Sequence, residues 1–180
     1  MSDQRMVSGK WVEGLFNRAL GPSIDHELSA LLEAEGLQLN RPMHHAYPRE
    51  QFVKWVTISA RELFPEKEQA LALRLLGAKV VEDLKSSGDI KSAVLTMAKF
   101  MGPRRVLRQL ADYVQGQSSL RVKVEEQGKT AAKIELNDGE LADFVAGSLE
   151  VILALIGARQ PKVDATQLAP DRSVLSLRWA

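Results

Sequence analysis

Three histidines are the first side chains that could do chemistry, and their spacing argues against it. His44 and His45 are direct neighbours. Their side chains leave the backbone in different directions and do not converge on one metal ion. His26 stands apart, between Asp25 and Glu27. No pair has the HExxH spacing that sets two imidazoles on one helix face around zinc. Asp25-His26-Glu27 has the residue types of an acid–base relay. A general base must be oriented by its carboxylate towards a substrate, and adjacent residues on a helix do not face one another. The triplet therefore reads as a solvated helix start. Serines are numerous, but none sits in a Gly-x-Ser-x-Gly elbow. Gly77, Gly88 and Gly102 are widely spaced and follow helical patterns, so they form no phosphate-cradling loop. Cysteine is absent, which excludes disulfides, thiolate nucleophiles, thiolate-bound zinc and iron–sulfur clusters. No catalytic residue, metal ligand or cofactor is assigned, and the expectation is a protein that is not an enzyme.

Two groups of residues remain that could bind something. Arg104, Arg105 and Arg108 cluster on one predicted helix, with Arg121 and Lys123 close behind. Such a cluster can hold an anion or a phosphate backbone. Equally, it can be a solvated helix face, which is the preferred reading. No aromatic platform accompanies it, so nucleic acid is disfavoured as a partner. The aromatic residues Trp11, Trp55, Trp179, Phe52, Phe64 and Phe144 fall mostly at core phase. Some can also line a pocket between helices and sheet.

These residues need elements to hold them. The chain has 180 residues, a net charge of +1, 45% apolar residues and 26% charged ones. Those values suit one globular domain with no general pull towards nucleic acid or acidic membranes. There is no run long enough for a membrane span. Met1 to Lys10 lacks the apolar centre of a signal peptide, and a cytoplasmic location is expected. Apolar residues at helical spacing predict about six helices. The first runs from Gly9 to Leu20 and ends at Gly21-Pro22; the second is capped by Asp25 or Ser23. Pro48 opens a third with Phe52, Trp55, Val56 and Ala60 inward. Pro65 starts a fourth, with Leu73, Leu76, Gly77 and Val80. A fifth follows Gly88-Asp89, and Gly102-Pro103 divides it from a sixth, short and basic. Gly116 to Ser119 is the predicted hinge.

After it the period changes to two. Leu120, Val122 and Val124 alternate with Arg121, Lys123 and Glu125; Ala132, Ile134 and Leu136 alternate with Lys133 and Glu135. Alternation marks strands with one buried face. A long apolar helix follows from about Glu140, and a second paired element ends at Leu175-Ser176-Leu177-Arg178-Trp179. The fold class is thus α+β: an N-terminal helical part, residues 1–116, packed on a four-stranded antiparallel sheet of order ββαββ, residues 117–180. Each part has apolar faces that need the other, so the two are read as one domain.

The phrases Trp11-Val12-Glu13-Gly14-Leu15-Phe16-Asn17-Arg18-Ala19-Leu20-Gly21, Ala46-Tyr47-Pro48-Arg49-Glu50, Met101-Gly102-Pro103-Arg104-Arg105 and Phe144-Val145-Ala146-Gly147 resemble a paralogous domain family of unknown function, expanded in myxobacteria. The resemblance covers nearly the whole chain. That family is in turn distantly similar to the haem-nitric-oxide/oxygen-binding sensor fold and to its four-vinyl-reductase-like and transport-particle relatives. The shared anchors are Tyr47-Pro48 at the start of a long helix and Leu177-Arg178-Trp179 in the last strand. In the haem sensors a histidine precedes the first strand and a Tyr-x-Ser-x-Arg motif holds the propionates. Here Tyr113 to Leu120 has no histidine and that motif is absent. The resemblance thus implies the scaffold without the usual haem linkage.

The expected function is a non-enzymatic sensory or adaptor domain. It would bind a small apolar ligand or a partner protein in a cleft between helices and sheet, lined by Phe52, Trp55, Met97, Met101, Tyr113 and Phe144. The alternative is a homodimerisation module in bacterial signalling, pairing through a terminal strand exposed at a sheet edge. Anion binding through Arg104, Arg105 and Arg108 is a third reading.

Overall fold

The computed structural model describes residues 5–180; residues 1–4 of the polar start lie outside it. The N-terminal part begins with strand β1 (Met6–Ser8), helix α1 (Gly9–Glu13) and a π-helical turn over Gly14–Ala19, which continues the same rod. A 3-10 turn over Gly21–Ser23 leads to α2 (His26–Ala34). Asp25 caps α2, its Oδ1 accepting from the Leu28 N–H at 2.8 Å; this settles the choice between Asp25 and Ser23. Strand β2 (Ala46–Pro48) then pairs antiparallel with β1. That two-stranded ribbon was not expected, because three-residue strands are too short to show alternation.

Helices α3 (Arg49–Leu63) and α4 (Gln69–Ser86) form the body of the N-terminal core. Phe16, Trp55, Leu20, Leu32 and Leu76 are fully buried there. Phe16 meets Phe52 and Trp55 edge-on at centroid separations of 6.4 and 6.2 Å, the arrangement favoured by the ring quadrupoles. The Trp55 indole N–H is satisfied by the Glu35 carbonyl at 3.0 Å. Helix α4 starts at Gln69, with Glu68 as its cap residue; Pro65 lies in the preceding turn and does not open the helix as expected.

Helices α5 (Ser92–Met101) and α6 (Pro103–Gln117) are divided at Gly102. Its φ of +76° is a conformation side chains rarely adopt, and Pro103 is preorganised for a first helical turn. Gly116 lies within α6, so the expected hinge is displaced to Ser118–Ser119. Strands β3 (Val122–Glu126) and β4 (Ala131–Leu136) form one hairpin, α7 (Ala142–Leu155) follows, and β5 (Lys162–Ala169) and β6 (Arg172–Arg178) form the second. The sheet is antiparallel in the order β3-β4-β6-β5. β6 pairs with β4 on one side and β5 on the other. The terminal strand is therefore interior, and the edges are β3 and β5. The expectation of an exposed terminal edge is corrected: the second hairpin folds back so that its last strand, not its first, meets the first hairpin.

Alternation sorts the two faces of the sheet as read from sequence. Ala132, Ile134, Leu136, Leu175, Leu177 and Val163 are buried beneath α6 and α7. The opposite face carries Lys123, Glu125, Lys133 and Glu135 in ion pairs, among them Lys133–Glu135 at 2.7 Å. Leu149 and Leu153 of α7 pack on the sheet. Its other side crosses α4 almost backbone to backbone. A Cβ on Gly147 would lie 2.7 Å from the Arg74 carbonyl carbon, and one on Gly77 would lie 2.9 Å from that of Phe144. Arg74 reinforces the crossing through Glu150 at 2.7 Å, and Glu150 also accepts from the Val163 N–H at 2.9 Å. Helix α7 thus joins the two hydrophobic cores.

Candidate functional site

Above the sheet, where β1, α3, α6 and α7 meet, lies a cavity of about 280 Å³. That is close to the lower end of the roughly 300–1,000 Å³ typical of small-molecule sites. The alternating strands put Val122, Ile134 and Leu136 on its floor, and α6 adds Leu107, Leu110 and Ala111. From α7 come Phe144, Val145, Leu149 and Ile152, and from the N-terminal part Val7, Trp11 and Phe52. Met6, Tyr113 and Ser119 are exposed wall residues and mark the mouth. Of the six residues expected to line a cleft, Phe52, Tyr113 and Phe144 do.

The other three lie elsewhere. Trp55 is fully buried within the N-terminal core, one helical turn past Phe52. Met101 packs half-buried against the sheet-side core, outside the cavity. Met97 is 65% exposed, because α5 turns Ala98 inward and presents Val94, Met97 and Phe100 to solvent. Helical spacing locates an apolar stripe but does not say whether anything covers it.

One end of the cavity is polar, and it is built at the start of α3. The Arg49 guanidinium reaches Asp138 Oδ2 from Nε at 2.5 Å and Glu140 Oε2 from Nη1 at 2.8 Å. Asp138 is buried, and its Oδ1 accepts from the Leu141 N–H at 3.1 Å, which anchors the start of α7. Burial alone would lower the Arg49 pKa; the hydrogen bonds and charges of Asp138 and Glu140 outweigh it and raise the pKa above its ordinary value. Arg49 Nη2 is buried with no partner among the described residues. Arg5 donates to the Asn137 carbonyl beside it. The Asn137 side chain accepts from the Arg121 N–H at 2.7 Å and donates to the Ser119 carbonyl at 3.2 Å. Sequence reading missed Arg49, Asp138 and Asn137. Arg49 and Asp138 are 89 residues apart, and only the folded chain brings them together.

The basic cluster on α6 is not a free cationic surface. Glu126 on β3 accepts from Arg104 at 2.9 Å and from Arg108 as well; Arg105 is exposed. The three histidines are exposed outside the cavity. His44 lies edge-on to Tyr47, whose hydroxyl accepts from the His44 N–H at 2.9 Å. Among the described residues no group of three or more His, Cys, Asp or Glu is placed to hold a metal ion. None of their helices is long and apolar enough to cross a membrane.

A family model described as a protein of unknown function (DUF2378) matches residues 5–180. A comparison with curated proteins found no match. Solved structures of H-NOX domains superpose over nearly the whole chain. An Fe(II) unliganded H-NOX protein from K. algicida is 9% identical, with a TM-score of 0.62 and 94% of each chain covered. An oxygen-binding H-NOX domain related to soluble guanylate cyclases is 14% identical, with a TM-score of 0.60, covering 96% of this chain and 93% of its own. A protein solved for the modulation of haem redox potential by porphyrin distortion is 15% identical, with a TM-score of 0.60 and coverage of 96% and 98%. The α+β fold is H-NOX-like. Among the described residues the cavity wall holds no histidine or cysteine, and Met6 and Tyr113, both at the mouth, are its only side chains of a type that ligates haem iron. The donor set does not fit a histidine- or cysteine-ligated haem.

Proposed function

We propose that this chain, which belongs to the DUF2378 family of unknown function, is a non-enzymatic sensory domain that binds a small organic molecule in the cavity between helices and sheet, without haem. The observation that carries this reading is the cavity itself: an apolar chamber with a polar end, walled by both parts of the chain. A molecule there touches β1, α3, α6 and α7 at once, so its presence is felt by both hydrophobic cores. The H-NOX-like fold supports the reading by analogy, since fold alone does not fix function. Native mass spectrometry of the purified protein tests it, with Ala111→Phe as the comparison. Ala111 lines the cavity from α6, and a phenyl ring there takes up part of its volume. The expected result is a retained or added small molecule on the unaltered protein that is lost in the variant. Equal binding by a folded Ala111→Phe protein would refute the site.

Homodimerisation is the second reading, favoured by one observation. Helix α5 exposes Val94, Met97 and Phe100 at helical spacing, at 58%, 65% and 88%, and a clustered apolar face marks a contact surface. Light scattering across micromolar concentrations is expected to show a dimer that Phe100→Glu dissociates. A strict monomer rejects it.

A further inference from the structure

We infer that the cavity selects an uncharged lipophile carrying one acceptor oxygen, which receives a hydrogen bond from Arg49 Nη2, and that it rejects carboxylates. The inference rests on the small-molecule reading above and adds the ligand class. The wall is almost wholly apolar, so a charged group deep inside would lose its hydration with nothing to replace it. Only the polar end could compensate, and its two arginines are already bonded within the protein. Arg49 is bonded to the carboxylates of Asp138 and Glu140, and Arg5 to the Asn137 carbonyl. An added anion at Arg49 would lie beside the buried Asp138 carboxylate.

The donors along the wall are mostly used by the protein. The Ser118 hydroxyl gives to Val114, Ser119 to Met6, and the single Ser148 hydrogen is shared between the Gly77 and Phe144 carbonyls. Asp138 has both carboxylate oxygens filled, by Arg49 and by the Leu141 N–H. Among the described residues, Arg49 Nη2 is the one buried side-chain donor on the cavity wall with nothing to give to. A buried unpaired donor costs free energy that a single acceptor restores. A neutral oxygen, as in an alcohol or ketone, meets that need without upsetting the charge balance.

Isothermal titration calorimetry of the full chain with octanol and octanoate tests the inference. Octanol is expected to bind at least about tenfold more tightly, the factor that corresponds to roughly 1.4 kcal/mol. Octanoate binding as tightly as octanol, or more so, overturns the inference while leaving the small-molecule reading intact. No binding by either probe, together with no molecule retained in native mass spectrometry, overturns both. The double variant Arg49→Met with Asp138→Asn removes the donor without stranding a buried charge, since Glu140 is half exposed, and its Asn keeps an acceptor for Leu141. It is expected to lose about tenfold in octanol affinity. A folded double variant that binds octanol as the unaltered protein does overturns the assignment to Arg49. The octanol–octanoate comparison uses the unaltered protein and decides the charge preference whatever the variant does.

Discussion

Gly147→Ala is the sharpest perturbation of the junction between the two cores. In an unencumbered helix interior the change would stabilise by about 1 kcal/mol, because glycine has the more flexible unfolded chain. Here the new Cβ would sit 2.7 Å from the Arg74 carbonyl carbon and 3.1 Å from its Cα, and closer still to the carbonyl oxygen. Carbon atoms attract best at about 3.5–4.0 Å, so α4 and α7 must part by almost an ångström or more. The obstacle is backbone and cannot rotate away. Separation would also loosen the Arg74–Glu150 pair at 2.7 Å and the Ser148 hydrogen bond to Gly77 at 3.1 Å. Overpacking costs about 1–3 kcal/mol, sometimes more, and a lost charged hydrogen bond adds about 1.5–3. The net expectation is a loss of about 3 kcal/mol. For a domain of this size that lowers Tm by about 6–12 °C. Gly116→Ala is the matched control: nothing lies within 4 Å of its Cβ and its φ is not positive. That change is expected to stabilise by about 0.5 kcal/mol. Thermal and urea melts of both variants supply the answer. A Gly147→Ala protein as stable as the original would refute the backbone crossing.

Two other predictions concern charge. Asp143 lies beside Arg74 with its pKa raised by burial, against the opposing pull of Arg74. A carboxyl raised on folding carries a stability penalty above its folded pKa, and the penalty fades as pH falls towards the unfolded value. Asp143→Asn is therefore expected to stabilise at neutral pH, with the gain vanishing in acid; urea titrations at both pH values check it, and a neutral-pH loss contradicts it. Glu126→Gln should change stability by less than about 1 kcal/mol, because its arginine partners are exposed. It should also lengthen retention on a heparin column by freeing Arg104 and Arg108, and unchanged retention would show that Glu126 does not neutralise them.

How much of this was legible in the sequence depended on the range of the signal. Alternation at Ala132, Ile134 and Leu136 fixed the buried face of β4, because period two is a local property of a strand. Gly102-Pro103 and Asp25 marked helix ends through backbone and capping chemistry, again within a few residues. Strand order was not local. Whether β5 or β6 meets β4 depends on the path of a hairpin, which the pattern within either strand does not report. Met97 and Phe52 look alike as members of apolar stripes; Phe52 is covered by Phe16 of the π-helical turn, whereas Met97 is 65% exposed. The polar end of the cavity was invisible for the same reason. Arg49 reads as an ordinary residue of a first helical turn, and Asp138 as an ordinary turn residue, until the fold buries one against the other.

Their meeting bears on how binding at this site could be transmitted. Asp138 holds Arg49 of α3 with one oxygen and the start of α7 with the other. Helix α7 in turn abuts α4 through Gly147 and the sheet through Leu149 and Leu153. A ligand oxygen on Arg49 Nη2 therefore adds a bond at the hub of a connected set of elements. By mass action it stabilises the folded chain by about 2.7 kcal/mol at one hundred times its Kd, comparable with the loss expected for Gly147→Ala. Stabilisation alone is not signalling, because a ligand shifts only those equilibria whose two states it binds unequally. The segment best placed to differ is the mouth, where the Ser119 backbone and hydroxyl both reach the Met6 carbonyl at 3.2 and 3.1 Å. Those two bonds join β1 to the α6–β3 connection across the opening. Amide exchange at Ser119 should slow on octanol binding by more than exchange in α4, which the ligand does not touch. Equal protection at both places would mean that the ligand merely stabilises the whole chain.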